Sequence, residues 1–94
     1  MILVLVKQRI MSPQAAQELC RMNRQAFEWY QKPGRLGGRC VGSTSDPRQV
    51  IIVEQWGSRL AFDAWCNSPA RVKYEPQTAP LRVGPVEGEV YEEL

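Results

Sequence analysis

The order in which strand-like and helix-like patterns follow one another leaves this chain very few possible folds. Residues 2–10 begin as an apolar run and then alternate, so that Val6 and Gln8 share one face, which predicts a strand. Small and apolar side chains recur every three or four residues across positions 16–30, which predicts a helix with one buried face. The β-branched run at residues 50–53 is typical of a strand buried on both faces.

Capping and turn residues mark the ends of these elements. Ser12 followed by Pro13 begins the first helix, because serine caps helices and proline is tolerated at the first helical position. Pro33-Gly34 ends it. Residues 44–47 (Thr-Ser-Asp-Pro) form a turn, so we expect a hairpin of strands at residues 37–43 and 48–56.

The second half of the chain carries the same signals. Ser58 caps a short helix, Ser68-Pro69 begins another that runs toward Tyr74, Pro76 and Pro80 mark a loop, and residues 83–91 supply a last strand. The order is β-α-β-β-α-β, which predicts an α+β, ferredoxin-like fold: a four-stranded antiparallel sheet with helices on one face. No element remains to cover the other face, so we expect a homodimer through the sheet faces.

The composition fits one globular domain spanning residues 1–94, with 44% hydrophobic and 23% charged residues. A net charge of +2 does not make nucleic acid a default partner. The longest apolar run, residues 2–6, is far shorter than the ~20 residues of a membrane span and lacks the basic segment of a signal peptide. We therefore expect a cytoplasmic protein that binds neither membranes nor nucleic acid.

Histidine is absent, which excludes Ser-His-Asp and Cys-His catalysis and histidine-ligated zinc or haem. The three cysteines, Cys20, Cys40 and Cys66, are odd in number and widely spaced, so they predict neither a disulfide framework nor a metal or redox pair. We expect Cys20 and Cys66 to be small core residues. No metal and no cofactor are expected.

The C-terminal segment 86–94 differs in charge from the rest of the chain. The last eight residues hold four glutamates and no basic residue, whereas all twelve lysines and arginines precede them. This acidic strand or tail either docks on a basic surface, in its own chain or on a partner protomer, or is a solvated end. Val86, Val90 and Tyr91 would anchor it if it docks.

Several strings resemble the antibiotic biosynthesis monooxygenase family of dimeric α/β barrel proteins. They are Pro33-Gly34, Leu36-Gly37, Asp46-Pro47, residues 50–58 (VIIVEQWGS), residues 61–65 (AFDAW) and residues 67–69 (NSP). The family pattern, a buried strand ending Glu-x-Trp-x-Ser and then a helix ending near a serine, is matched by Glu54, Trp56, Ser58 and Ser68. The resemblance spans residues 2–92.

The resemblance implies a ferredoxin-like protomer, a homodimer with back-to-back sheets and a pocket between sheet and helices. Members include cofactor-independent oxygenases of polycyclic phenols, quinol oxygenases, haem-degrading enzymes and an isomerase. The haem-degrading branch has an axial histidine at a position that falls near Glu75 here, so haem degradation is not expected.

Asn23 and Trp56 are the candidate catalytic residues. Asn23 lies inside the apolar stripe of the first helix, where a buried amide needs partners that a substrate oxygen could supply. Trp56 shares strand parity with Glu54, on the face that the family match turns toward the pocket, and its indole could stack on a planar substrate. The alternatives are an amide bonded to nearby backbone or water, and a tryptophan that only fills the core.

Five further residues are candidates for substrate binding: Tyr30, Glu54, Phe62, Trp65 and Tyr74. The aromatic side chains would line the pocket, or serve only in core packing. Glu54, on an apolar strand, is either held in an ion pair or has a raised pKa.

Two functions remain open from the sequence. The first is a cofactor-independent monooxygenase for a planar phenolic or quinone-type molecule, in which Asn23, Trp56 and Tyr74 hold the substrate anion. The second is a non-catalytic ligand-binding or regulatory homodimer on the same fold, with a small aromatic ligand. The polar Asn23 within an apolar stripe favours the first, and the absence of histidine favours the second.

Overall fold

A computed structural model describes residues 1–29 and 32–94, without the side chains of residues 27–29. The strands are β1 (Ile2–Arg9), β2 (Arg35–Gly42), β3 (Gln49–Trp56) and β4 (Glu87–Glu92). The helices are α1 (Pro13–Trp29), α2 (Arg59–Cys66) and α3 (Pro69–Thr78), and a 3-10 turn follows at Ala79–Leu81.

The four strands form one antiparallel sheet in the order β2-β3-β1-β4. In the centre, β1 pairs with β3 so that Val4 lies opposite Glu54 and Val6 opposite Ile52. The ferredoxin-like α+β fold expected from the sequence is confirmed, with the second helical segment divided into α2 and α3. The division lies at Ser68, whose side chain accepts from the backbone N–H of Arg71 and so caps α3.

The inner face of the sheet carries the core because alternate residues of β1 and β3 point toward the helices. Ile2, Val4, Val50, Ile52 and Trp56 of the sheet are buried, and so are Leu19 and Ala26 of α1 and Trp65 of α2. The same alternation turns Leu3, Leu5, Ile51 and Val53 to the outer face, where they are only half-buried. The expectation that residues 50–53 are buried on both faces is therefore wrong for the single chain, since none of the described elements covers the outer face.

Two element boundaries differ from those expected. Helix α3 passes through Pro76, which the sequence placed in a loop, and ends at Thr78. Pro76 is exposed and Val72 is 63% exposed, so water can reach the carbonyl group that loses its backbone partner. The last strand begins at Glu87, not at residue 83, because Gly84 turns the chain with φ +80° after a single bridge between Ile10 and Arg82.

The acidic C-terminal segment lies partly within the sheet. Its strand β4 pairs with β1 along residues 2–7, at the edge of the sheet. The Lys7 ammonium lies 2.7 Å from the Glu89 carboxylate across this pairing. Both side chains are more than one-third exposed, so backbone pairing contributes more to this docking than the ion pair does.

The expectation that no cysteine is paired is wrong for two of the three. Cys20 of α1 and Cys40 of β2 form a disulfide, with their Cα atoms 5.3 Å apart, and Cys66 is free. The two are 20 residues apart in sequence and meet only because α1 packs on the inner face of the sheet beside β2. The bond ties this helix to the edge strand.

We expect the Cys20–Cys40 bond to stabilise the fold by restricting the unfolded chain. For a loop of this length the entropic contribution is about 3 kcal/mol. Cys40→Ser, or reduction of the wild type, should lower the free energy of unfolding by about that amount in a denaturant titration. Cys66→Ser is the matched control and should change it little. Equal midpoints with and without reductant would contradict the expectation.

Candidate functional site

A cavity of about 120 Å³ lies between the inner face of the sheet, helix α1 and helix α3. Val6 and Ile52 of the sheet, Leu19 of α1 and Trp65 of α2 give it apolar walls. Its polar lining comes from two amides and from charged side chains at one end. Helix α3 closes the cavity on the side away from the sheet, where Tyr74 and Thr78 line it.

A buried ion pair forms part of the cavity wall. Arg35 Nε donates to Glu54 Oε2 at 2.8 Å, and the two side chains are only 2% and 10% exposed. Gly38, which lies opposite Glu54 in the β2–β3 pairing, makes room for this contact: a Cβ there would lie 2.4 Å from Arg35 Nη2 and 2.8 Å from the Val53 carbonyl oxygen. Of the two hypotheses for Glu54, an ion pair or an unpaired buried carboxyl group, the structure supports the ion pair.

Two amide side chains line the cavity between the apolar walls. Asn23 of α1 and Gln8 of β1 are each 5% exposed. Gln8 Oε1 is buried and has no hydrogen-bond partner within the described residues. A buried amide oxygen without a hydrogen-bond partner destabilises the fold. Its presence here therefore points to a ligand that donates a hydrogen bond to it.

Three basic side chains line one end of the cavity: Lys32, Arg71 and Arg82. Both arginines face Glu75, with Arg82 in direct contact and Arg71 Nη2 at 3.9 Å. Lys32 Nζ instead lies over the ring of Trp65, 4.4 Å from its centroid. Burial lowers the pKa of Lys32, the positive charges of Arg35 and Arg71 lower it further, and Glu54 opposes them.

The structure separates the two candidate catalytic residues. Asn23 lines the cavity, whereas Trp56 is 0% exposed, is not among the described residues that line it, and packs with Ile2, Val4 and Trp65. Its indole cannot stack on a ligand in this cavity, because the core surrounds it on all sides. Trp56 Nε1 has no hydrogen-bond partner among the described residues.

The five candidate substrate-binding residues divide in the same way. Glu54, Trp65 and Tyr74 line the cavity. Phe62 does not, because its ring packs edge-on against Trp56 at a centroid distance of 5.6 Å. Tyr30 lies outside the described residues, so its proposed part in binding stays a prediction.

Sequence reasoning missed Gln8 and Lys32 as site residues. A signal for Gln8 existed, since its strand parity with Val6 already placed it on the apolar face. Nothing local marks Lys32, which follows the first helix next to Pro33. It reaches the cavity only because the chain turns back at Gly34 to begin β2.

Within residues 1–29 and 32–94, no group of three or more cysteine, aspartate or glutamate side chains comes together in a way that could hold a metal ion. None of the helices described combines the length and the apolar character that a membrane crossing requires.

Comparison with known protein families identifies the chain. Residues 1–76 match the sequence pattern of the antibiotic biosynthesis monooxygenase family. The matched residues include α1, the β2–β3 hairpin, α2 and most of α3. The chain belongs to this family. A search of curated proteins finds no match.

Solved structures support the same fold for this family member. A protein from Bordetella bronchiseptica superposes with a TM-score of 0.85 at 13% identity, covering 99% of this chain and 96% of its own. A conserved protein from Methanosarcina mazei gives 0.82 at 17% identity, covering 99% and 92%. A variant of SnoaB, a cofactor-independent oxygenase from Streptomyces nogalater, gives 0.79 at 12% identity, covering 98% and 91%. At these identities the likeness establishes the fold.

The buried Arg35–Glu54 pair predicts a marked asymmetry between single and double substitution. Arg35→Met leaves the Glu54 carboxylate buried without its partner, which should cost about 3–5 kcal/mol of unfolding free energy. The double variant Arg35→Met/Glu54→Leu removes both charges and should recover most of that loss. Chemical denaturation measures both.

Arg59→Met is the control for that experiment. It breaks an exposed pair with Asp63, at 3.0 Å, and should cost less than about 1 kcal/mol. If the Arg35 variant lost no more stability than the Arg59 variant, the Arg35–Glu54 pair would not hold the cavity wall.

Proposed function

We propose that the chain is a cofactor-independent monooxygenase that oxidises a planar phenolic or quinone-type small molecule. The observation that carries the proposal is the cavity itself, where the amides of Asn23 and Gln8 lie between apolar walls. Membership of the antibiotic biosynthesis monooxygenase family supports it, as does the shared fold with SnoaB, itself described as a cofactor-independent oxygenase.

The chemistry needs little from the protein beyond such a cavity. A deprotonated phenol donates an electron to dioxygen, and the resulting substrate radical and superoxide then combine. With a hydroquinone-type substrate, one oxygen atom of dioxygen is added to the ring, and the other leaves as water with two hydrogens of the substrate, so that the product is a hydroxyquinone. No external reductant is required. The protein has to bind the ring, hold the anionic oxygen and exclude water.

Residues that line the cavity would divide these tasks. Asn23 would donate its amide N–H to the substrate oxygen, and Trp65 and Tyr74 would pack against the ring. Trp56 would not touch the substrate. It packs with Trp65 and so would support the cavity wall from behind.

We expect Asn23→Leu to separate function from stability. The change replaces a buried amide with an apolar side chain of similar size, so the melting temperature should stay within a few degrees of the wild type or rise. Dioxygen consumption with hydroquinones should fall at least tenfold.

Gln14→Leu, an exposed substitution on the same helix, is the control and should leave the rate unchanged. An Asn23→Leu variant as active as the wild type would show that this amide is structural only. No dioxygen consumption by the wild type with any of these phenols would contradict the proposed activity.

We also propose that the functional unit is a homodimer joined through the outer face of the sheet. That face presents Leu3, Leu5, Ile51 and Val53, all half-buried, with the 39% exposed Val41 beside Ile51. A contiguous apolar surface at the centre of a sheet is typical of an interface, and family members are dimeric barrels.

The dimer is tested by sedimentation equilibrium at micromolar concentration. The wild type should sediment as a dimer, and Leu5→Glu should shift it to a monomer, because it introduces a charge opposite Val53 at the centre of the face. Leu60→Glu on α2, where the leucine is 80% exposed, should leave the dimer intact. A folded wild-type monomer would refute the proposal.

A non-catalytic ligand-binding homodimer is the second candidate. The absence of histidine favours it, because histidine is the side chain that most commonly exchanges protons near neutral pH in catalysis. Saturable binding of a phenol without any dioxygen consumption would identify this function. The cytoplasmic location expected from the sequence remains a proposal, and the Cys20–Cys40 disulfide does not support it, because disulfides are rare in cytosolic proteins.

A further inference from the structure

The charged residues described around the cavity are not equivalent, because all but one of them form ion pairs. Glu54 is held by Arg35, and Glu75 by Arg82 and Arg71. The Lys32 ammonium group has no carboxylate within ion-pair distance among the described residues, and it lies over the face of Trp65, 4.4 Å from the ring centroid. Lys32 is therefore the one basic side chain among the described cavity residues that is held in no ion pair, although the Glu54 carboxylate acts on it from a distance.

Lys32 is also placed to exchange a proton with a ligand in the cavity. Its half-buried ammonium group lies among Glu54 of β3, Arg35 of β2 and Arg71 of α3, with Trp65 of α2 beneath it. Burial and the two arginines lower its pKa, so the neutral amine is more accessible than for a lysine in water. The sequence has no histidine to perform this task.

The polar groups opposite the apolar walls require a ligand with hydrogen-bonding atoms. Gln8 is 95% buried, lines the cavity and has an unpartnered Oε1, and its amide can rotate so that either end faces inward. Asn23 adds a second buried amide. A hydroxyl or carbonyl oxygen on an aromatic ring would satisfy such groups while the ring packs against Val6, Leu19 and Ile52.

The volume of the cavity limits the size of that ring system. An apolar cavity of about 150 Å³ holds one benzene molecule. At about 120 Å³, this cavity fits a single ring better than it fits three fused rings.

We propose that the cavity binds a monocyclic hydroxyaromatic compound and that Lys32 accepts the proton of its hydroxyl group and then holds the phenolate. The O–H bond breaks, its electron pair remains on oxygen, and the proton passes to the neutral amine to give an ammonium–phenolate pair. This inference rests on the proposed oxygenase function for its purpose, because the phenolate is the form that reacts with dioxygen. Binding and deprotonation can be measured without turnover.

The test uses 4-nitrophenol, whose phenolate absorbs at longer wavelength than its phenol. Bound to the wild type, the probe should titrate at least one pH unit below its value in free solution, because the positive Lys32 stabilises the phenolate. Lys32→Met should abolish this shift and weaken binding of the phenolate about tenfold. Lys73→Met, on the exposed side of α3, is the matched control and should behave as the wild type.

Lys32→Arg provides a second variant in case Lys32→Met fails to fold, which thermal melting reveals. It keeps the positive charge, so it should bind the phenolate, but it cannot accept the proton near neutral pH, so dioxygen consumption should fall. An unshifted titration of the bound wild-type probe, an equal shift in Lys32→Met and wild type, or no saturable binding to the wild type would each overturn the inference.

Two further arms separate this inference from the proposed function. A tricyclic anthrone-like phenol should fail to displace the nitrophenol, and tighter binding of the tricyclic compound would overturn the size limit. Dioxygen uptake is measured separately. A Lys32-dependent phenolate shift without uptake of dioxygen by any phenol refutes the oxygenase and leaves the inference standing. Uptake that Lys32→Met does not diminish refutes the inference and leaves the oxygenase standing.

Discussion

The register between β1 and β3 is the constraint on which the rest of the structure depends. These central strands pair from Ile2–Trp56 to Arg9–Gln49, which places Gln8, Ile52, Glu54 and Trp56 on the same face as Val4. A slip of one residue in either strand would turn that strand's core and cavity side chains to the outer face. The core, the polar cavity and the apolar outer face therefore follow from one pairing.

The cavity keeps groups that folding alone does not favour. Glu54 and Arg35 are buried together although an apolar pair of similar size would be as stable or more so, and Gln8 has a buried oxygen without a partner. Lys32 adds a half-buried ammonium group. Such conflicts between stability and composition concentrate where a protein binds or transforms a ligand. Their coincidence in one cavity is the physical reason for placing the site there.

Stability and assembly bear on this cavity from outside it. The Cys20–Cys40 disulfide fastens α1, which carries Asn23, to the edge strand β2, which carries Arg35. The outer face of the sheet lies directly behind the cavity residues of β1 and β3. A second protomer on that face would hold the sheet, and so the positions of Gln8 and Glu54, more rigidly than a single chain does.

The sequence by itself determined the element order, the fold and the face on which Asn23, Gln8 and Glu54 lie, because periodicity and capping are local properties of the chain. It could not determine what meets across the fold. Cys20 with Cys40 and Lys32 with Trp65 are contacts between residues far apart in the chain, and the burial of Trp56 against Phe62 depends on how α2 packs on the sheet. Pro76 is a local signal for a loop, yet α3 continues through it because the residue lies on the exposed side of the helix. Only tertiary packing decides such contacts, since they depend on where α1, α2 and the chain before β2 settle on the sheet.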